Sequence, residues 1–181
     1  MKTRTMVSCL VLLCSIAYSS AHFQGGVSVL FLSYNWTSYG DDKGPPTIPF
    51  VGLTGDLLVS VSGPLELGAE IGLYGFVLPL PFLVLTALEF PVDALLRLNL
   101  SPDRKVAVEL RGGLWLSNFA ASIFWYDKSS TSSAFVSQVH FGGRFLLDWF
   151  YLGGDYIAQS ESLPSAYAFE IGVKASYGAG S

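Results

Sequence analysis

From residue 26 onward the chain alternates with a period of two, and within the alternating segments every charge falls on one parity. In residues 65–74, Leu65, Leu67, Ala69, Ile71 and Leu73 share one face, while Glu66, Gly68, Glu70, Gly72 and Tyr74 share the other. Helical spacing does not separate these residues, whereas strand spacing separates all of them. The same sorting recurs over residues 26–37, 51–61, 92–100, 105–116, 135–147, 150–159 and 166–177. In the first of these, Leu30, Leu32, Tyr34 and Trp36 are read as the apolar face, with Ser33 and Asn35 opposite. Eight such segments predict eight half-buried strands.

Charged residues make up only 13% of the chain, where a soluble domain carries about 25%. Mean hydropathy is +0.47. Past the first two dozen residues, every apolar stretch is cut by Gly, Pro or a charge before the ~18–20 residues that a spanning helix needs. Membrane-like composition without a membrane helix points to strands. At the N-terminus, Lys2 and Arg4 precede an apolar run centred on residues 7–16, followed by Ser19-Ser20-Ala21. This order predicts a signal peptide over residues 1–21 and a barrel domain over residues 22–181. Both cysteines, Cys9 and Cys14, fall in the segment to be removed, so neither a disulfide nor a thiolate metal site is expected afterwards. Loss of Lys2 and Arg4 from ten basic side chains leaves eight against fourteen acidic ones, a net charge of −6. That balance argues against nucleic acid as a partner.

Tight connections (residues 62–64, 101–104 and 148–149) alternate with long ones (38–50, 75–91, 117–134 and 160–165). Transmembrane barrels place short turns in the periplasm and long loops outside, so both termini are expected in the periplasm. A soluble lipocalin-like barrel shares the two-faced strand pattern. Three features turn the apolar face toward lipid instead. Gly52, Gly68, Gly72, Gly113, Gly142, Gly153 and Gly172 lie on the charged parity, where a narrow interior needs small residues. Tyr34, Trp36, Phe150, Tyr167 and Tyr177 sit near strand ends like an interfacial girdle. Finally, both signs of charge are distributed around the polar face, as buried charges require. The expected polar network of the lumen comprises Asp56, Glu66, Glu70, Asp93, Arg97, Glu109, Arg111, His140, Arg144, Asp155, Glu170 and Lys174.

In this pattern the chain resembles the small eight-stranded outer-membrane β-barrels, the OmpA, OmpX and OmpW group. The resemblance spans residues 22–181 and implies an all-β, antiparallel up-and-down barrel, outer-membrane lipid around it and the barrel assembly machinery as a partner. Such proteins usually end in an aromatic residue, whereas here Tyr177 is followed by Gly178-Ala179-Gly180-Ser181. No wall-anchoring role is expected.

Catalysis is not expected. His140 shares its face with Gln138 and Gly142 and has no serine at the neighbouring inward positions, so it reads as part of the interior hydrogen-bond network. Glu66 and Glu70 stand about 13 Å apart along a strand, too far to share one ion, so no metal or cofactor is expected. Eight strands leave an interior just wide enough for side chains. The most unusual stretch is the second long connection. Phe76, Val77, Leu78, Leu80, Phe82, Leu83 and Leu85 make an apolar loop where a polar one is the rule, and Phe124 and Trp125 join it from the third. A lid, a segment dipping into the outer leaflet, a ligand-uptake surface and a plain extension of strands three and four are all open to it. The sequence therefore leads to an outer-membrane barrel read as a narrow conduit for small or hydrophobic solutes. The alternative is a structural or adhesive surface protein with a plugged lumen that contacts a host surface ligand or lipid through its loops.

Overall fold

The computed structural model describes residues 21–35, 47–125 and 128–177. Eight strands form one closed antiparallel ring in sequence order: β1 (Ala21–Tyr34), β2 (Thr47–Ser62), β3 (Leu65–Leu80), β4 (Leu83–Asn99), β5 (Val106–Trp125), β6 (Lys128–Leu147), β7 (Phe150–Ile157) and β8 (Ala166–Tyr177). Closure comes from β1 pairing with β8, from Phe23 opposite Tyr177 to Tyr34 opposite Ala166. A closed ring leaves no sheet edge along its shared span, which satisfies the backbone without water. The expected all-β barrel is therefore the observed fold. No helix among the described residues is long and apolar enough to cross a membrane.

Seven of the eight segments place their faces as the alternation predicts. In β5, Val108, Leu110 and Leu114 are exposed on the outer wall, while Glu109 and Arg111 are buried. Outward side chains stay apolar from Val106 to Leu116 and become polar at Asn118. On β6 they stay apolar from Leu147 to Val139 and become polar at Ser137. Each run is about the length of a crossing strand. On the outer wall Phe141, Tyr156 and Tyr167 stack in series, with ring centroids 5.5 and 5.4 Å apart, as a girdle requires. The expected girdle residue Phe150 lies on the same outer face of β7. The Trp36 and Tyr177 side chains of the expected girdle lie outside the described residues.

The eighth segment is inverted. Leu30, Leu32 and Tyr34 point into the barrel and are buried, while Val27, Val29, Phe31 and Ser33 face outward. Val27 to Leu32 is apolar on both parities apart from Ser28, so periodicity could not choose a face. Tertiary contact decides it: Leu30, Leu32 and Tyr34 enter an apolar cluster with Phe50, Tyr74, Trp115 and Ile157. Tyr34 is consequently an interior residue and not part of the girdle. Gln159, expected on an inward strand face, lies beyond the end of β7 and is exposed.

The apolar loop of residues 75–91 is also corrected. It is not a loop, because β3 and β4 run to a hairpin at Pro81-Phe82, with Leu80 paired to Leu83 and Leu78 to Leu85. The connection at 117–134 is likewise strand up to Trp125 and from Lys128. The apolar, β-branched and aromatic content that looked anomalous for a loop is what a continued strand uses. At about 3.3 Å per residue and a tilt near 40°, a 20-residue strand rises about 50 Å and an 8-residue one about 20 Å, against an apolar band about 25 Å tall. Pairing of β2 with β3 ends at Val51 opposite Gly75, whereas β3–β4, β4–β5 and β5–β6 pairing runs on to the hairpin ends, so β3 to β6 project past that level as a four-stranded sheet. β7 pairs with β6 only from His140 to Leu147.

Candidate functional site

Two regions carry chemistry: the lumen and the projecting sheet. In the lumen, all twelve residues of the expected polar network are buried. Arg144 on β6 stands at the centre. Its Nη2 donates to Glu170 Oε2 at 2.7 Å and to Glu70 Oε1 at 2.8 Å, its Nη1 to Glu109 Oε1 at 3.3 Å and also to Glu70 Oε2, and its guanidinium lies 4.9 Å from the centroid of the Tyr151 ring. Arg111 on β5 donates to Asp155 through two nitrogens, to Glu70 at 3.1 Å and to Glu170 at 3.0 Å. Lys174 on β8 reaches Asp56 at 2.5 Å and Glu70 at 3.2 Å. Arg97 on β4 holds Glu109 at 2.6 Å and Gln24 at 2.8 Å. Towards the turn end of the barrel, Glu66 meets Arg104 of the β4–β5 turn at 3.0 Å and His22 at 3.7 Å.

The strands supply this geometry because alternate residues on neighbouring strands meet on one face. Eight carboxylates are buried among the described residues, against the four cations Arg97, Arg111, Arg144 and Lys174. Each cation must serve about two acids, which the guanidinium fork permits. Inward glycines make the room. A Cβ on Gly142 would lie 2.3 Å from the Gly154 carbonyl oxygen, and one on Gly113 1.9 Å from that of Val92. The glycines on the charged parity are thus required by close cross-strand approach as well as by the bulk of the ionic side chains.

His140 sits apart from the arginines. Its Nε2 is 2.5 Å from Asp93 Oδ1, its Nδ1 is 3.7 Å from Asp155 Oδ1, and Trp115 packs edge-on against it at 5.1 Å. Beyond it lies Glu89, which sequence reasoning assigned to the loop. Glu89 is buried, accepts Trp115 Nε1–H at 2.7 Å and the Ser117 hydroxyl, and has no cation within ion-pair distance among the described residues. The signal that would have found it is parity: 89, 93 and 97 are all odd positions of one strand. Further along the axis the lumen becomes apolar, filled by Leu30, Leu32, Phe50, Tyr74, Trp115, Ile157, Ala166 and Ala168, with Phe76 and Phe119 packed on top. Ionic contacts at one end and a packed apolar layer at the other leave the interior occupied by the protein's own side chains.

The residues expected in an apolar loop lie instead on the β3–β4 and β5 hairpin arms. Leu78, Leu80, Leu83 and Leu85 occupy the inner face of the projecting sheet and Val77 its outer face. Phe76 faces the apolar layer, and Phe82 is at the turn. Phe124 N–H donates to the Phe82 carbonyl at 2.9 Å, tying the two hairpins together. Trp125 is described as backbone paired to Lys128. Among the described residues no cluster of His, Cys, Asp and Glu is arranged to hold a metal ion.

No family model matches the chain, and no curated protein matches it by sequence. Solved structures are similar to it in fold. The crystal structure of Ail, the attachment invasion locus protein of Yersinia pestis, is 9% identical over 87% of this chain and 98% of its own, with a TM-score of 0.57. Its complex with the heparin analogue sucrose octasulfate is similar, at 10% identity, the same coverage and a TM-score of 0.54. Neisserial surface protein A follows at 13% identity over 87% of this chain and 97% of its own, with a TM-score of 0.43. With eight antiparallel strands closed in sequence order and this overlap along nearly the whole of Ail, the chain has the fold of the eight-stranded outer-membrane β-barrels.

Proposed function

We propose that the chain is an integral outer-membrane protein that works from its outer surface, as a structural or adhesive barrel with a plugged lumen. The observation that carries this reading is the filled interior. An apolar layer of Leu30, Leu32, Phe50, Tyr74, Trp115 and Ile157 lies in series with an ion-paired layer around Arg144. A conduit for solutes would have to displace both, and breaking buried ion pairs costs several kcal/mol each. The narrow-channel reading is correspondingly disfavoured. The apolar residues that suggested solute uptake stand on the projecting hairpins, where they are available for contact.

In this reading residues 1–21 direct export and are removed, the assembly machinery inserts the chain, and both termini stay in the periplasm with the short turns. Trp149, exposed in the β6–β7 turn, anchors that rim at the headgroups. The barrel has no catalytic role in this reading, and His140, buried between Asp93 and Asp155, belongs to the interior network.

Ail carries attachment in its name and has been seen with a heparin analogue. Sulfated glycans suit this chain poorly. In the sequence, residues 36–46, 126–128 and 158–165 carry the basic Lys43 and Lys128 against the acidic Asp41, Asp42, Asp127 and Glu161. Among the described residues the β3–β4 hairpin is apolar from residue 76 to residue 85. The test is display of the chain on a non-adherent bacterial strain, followed by counting the bacteria retained on cultured cells. Replacing residues 78–85 by a polar hairpin, which spares the packed Phe76 and Ala87, should abolish retention while leaving the boiling-dependent gel mobility of a folded barrel. Equal retention after the swap, or solute flux through the unmodified barrel, overturns the reading.

A further inference from the structure

The β3–β4 hairpin turns on Pro81-Phe82, and Phe82 adopts a φ of +69°. Proline presets the first central position of such a turn, and the second, with positive φ, is ordinarily Gly or Asn. A bulky aromatic residue there is strained. Burial does not offset the strain, because the Phe82 side chain is 66% exposed. The turn is nevertheless held, since its carbonyl accepts the Phe124 N–H at 2.9 Å. A strained, well-anchored backbone that presents an aromatic ring outward points to a role for that ring.

The surroundings say what the ring meets. Leu80, Ile123 and Phe124 are exposed beside it, and residues 71–88 contain no charge. With 16 residues in β3, the tip stands about 15 Å above an apolar band about 25 Å tall, so it is clear of its own membrane's hydrocarbon. A protein-binding patch is ordinarily ringed by polar groups that pair across the rim. The leading β3–β4 hairpin has none from residue 76 to residue 85, where the polar atoms are backbone groups, engaged by pairing up to Leu80 and Leu83 and by Phe124; Ser122, Ser129 and Ser130 stand on the neighbouring β5–β6 arm. A backbone satisfied internally beneath an uncharged aromatic point is what entry into lipid requires.

We propose that this tip, led by Phe82 with Leu80, Ile123 and Phe124 behind it, wedges into the outer leaflet of an apposed lipid bilayer. The inference rests on the adhesive reading and names lipid as the partner. It is tested with the folded chain in nanodiscs mixed with protein-free phosphatidylcholine vesicles, scored by co-flotation against empty nanodiscs. The unmodified chain should float with the vesicles. Phe82→Gly relieves the positive φ and should keep the heat-sensitive gel mobility while lowering vesicle affinity about tenfold or more, and Phe82→Trp should restore it. Equal flotation of Phe82→Gly and the unmodified chain overturns the proposal, as does absence of flotation by the unmodified chain. In that second case, retention on cultured cells that is lost when the cells are protease-treated means a protein partner, one candidate surface being the β6 span 129–137 that β7 leaves unpaired. The adhesive reading then survives and only lipid falls; no retention at all removes both.

Discussion

Replacing Arg144 by methionine keeps most of the side-chain volume and removes the charge at the centre of the lumen. The guanidinium serves Glu70, Glu109 and Glu170. Breaking a buried pair by deleting one partner costs about 3–5 kcal/mol, because the other charge remains buried. Arg111 still reaches Glu70 and Glu170, and Lys174 still reaches Glu70, so about 3 kcal/mol is the expected loss. With a urea slope of about 2 kcal/mol/M, the unfolding midpoint should fall by about 1.5 M. The assay is urea unfolding of the barrel in detergent micelles, followed by tryptophan emission and by boiling-dependent gel mobility. Adding Glu170→Gln should recover part of the loss, with a coupling of about 1–3 kcal/mol. A midpoint shift under about 0.3 M refutes the reasoning: water would then be solvating the carboxylates, and the lumen would be open enough to reinstate a conduit.

In planar bilayers the unmodified barrel should show no stepwise conductance beyond rare, small events, and sustained channels would contradict a packed interior. Gly113→Ala should prevent folding or cost at least about 3 kcal/mol, judged by loss of the folded gel band, since its Cβ would lie 1.9 Å from the Val92 carbonyl oxygen. Gly63→Ala, in an open turn at φ +51°, should cost about 1 kcal/mol in the same urea assay. Glu89→Gln should change stability by less than about 1 kcal/mol, because an amide oxygen can still accept from Trp115 and Ser117. A loss comparable to that of Arg144→Met would place a hidden cation beside Glu89.

The alternation in residues 65–74, 105–116 and 166–177 was enough to set strand number, inward charges and outward aliphatics, because one parity there is wholly apolar and a slip of one residue would expose charge to lipid. The lumen residues could be named for the same reason, whereas their partners could not. Arg144 meets Glu70 across 74 residues and Lys174 meets Asp56 across 118, and those pairs exist only because the ring closes with a particular stagger. Glu89 is not legible in the same way, because residues 75–91 carry three prolines and no alternation, although its parity matches Asp93 and Arg97. Where both parities are apolar, as in Val27 to Leu32 and Phe76 to Leu85, local pattern is degenerate. Only packing against Phe50, Tyr74 and Trp115 turned Leu30 inward, and only hairpin pairing made residues 76–88 two strands. The sequence by itself thus determined a barrel with an apolar outer wall and a charged interior, since burial of charge dictates that wherever one parity carries the charges. Tertiary structure decided how the interior side chains pack against one another and that the apolar segment continues as paired strands, since both depend on which distant residues meet.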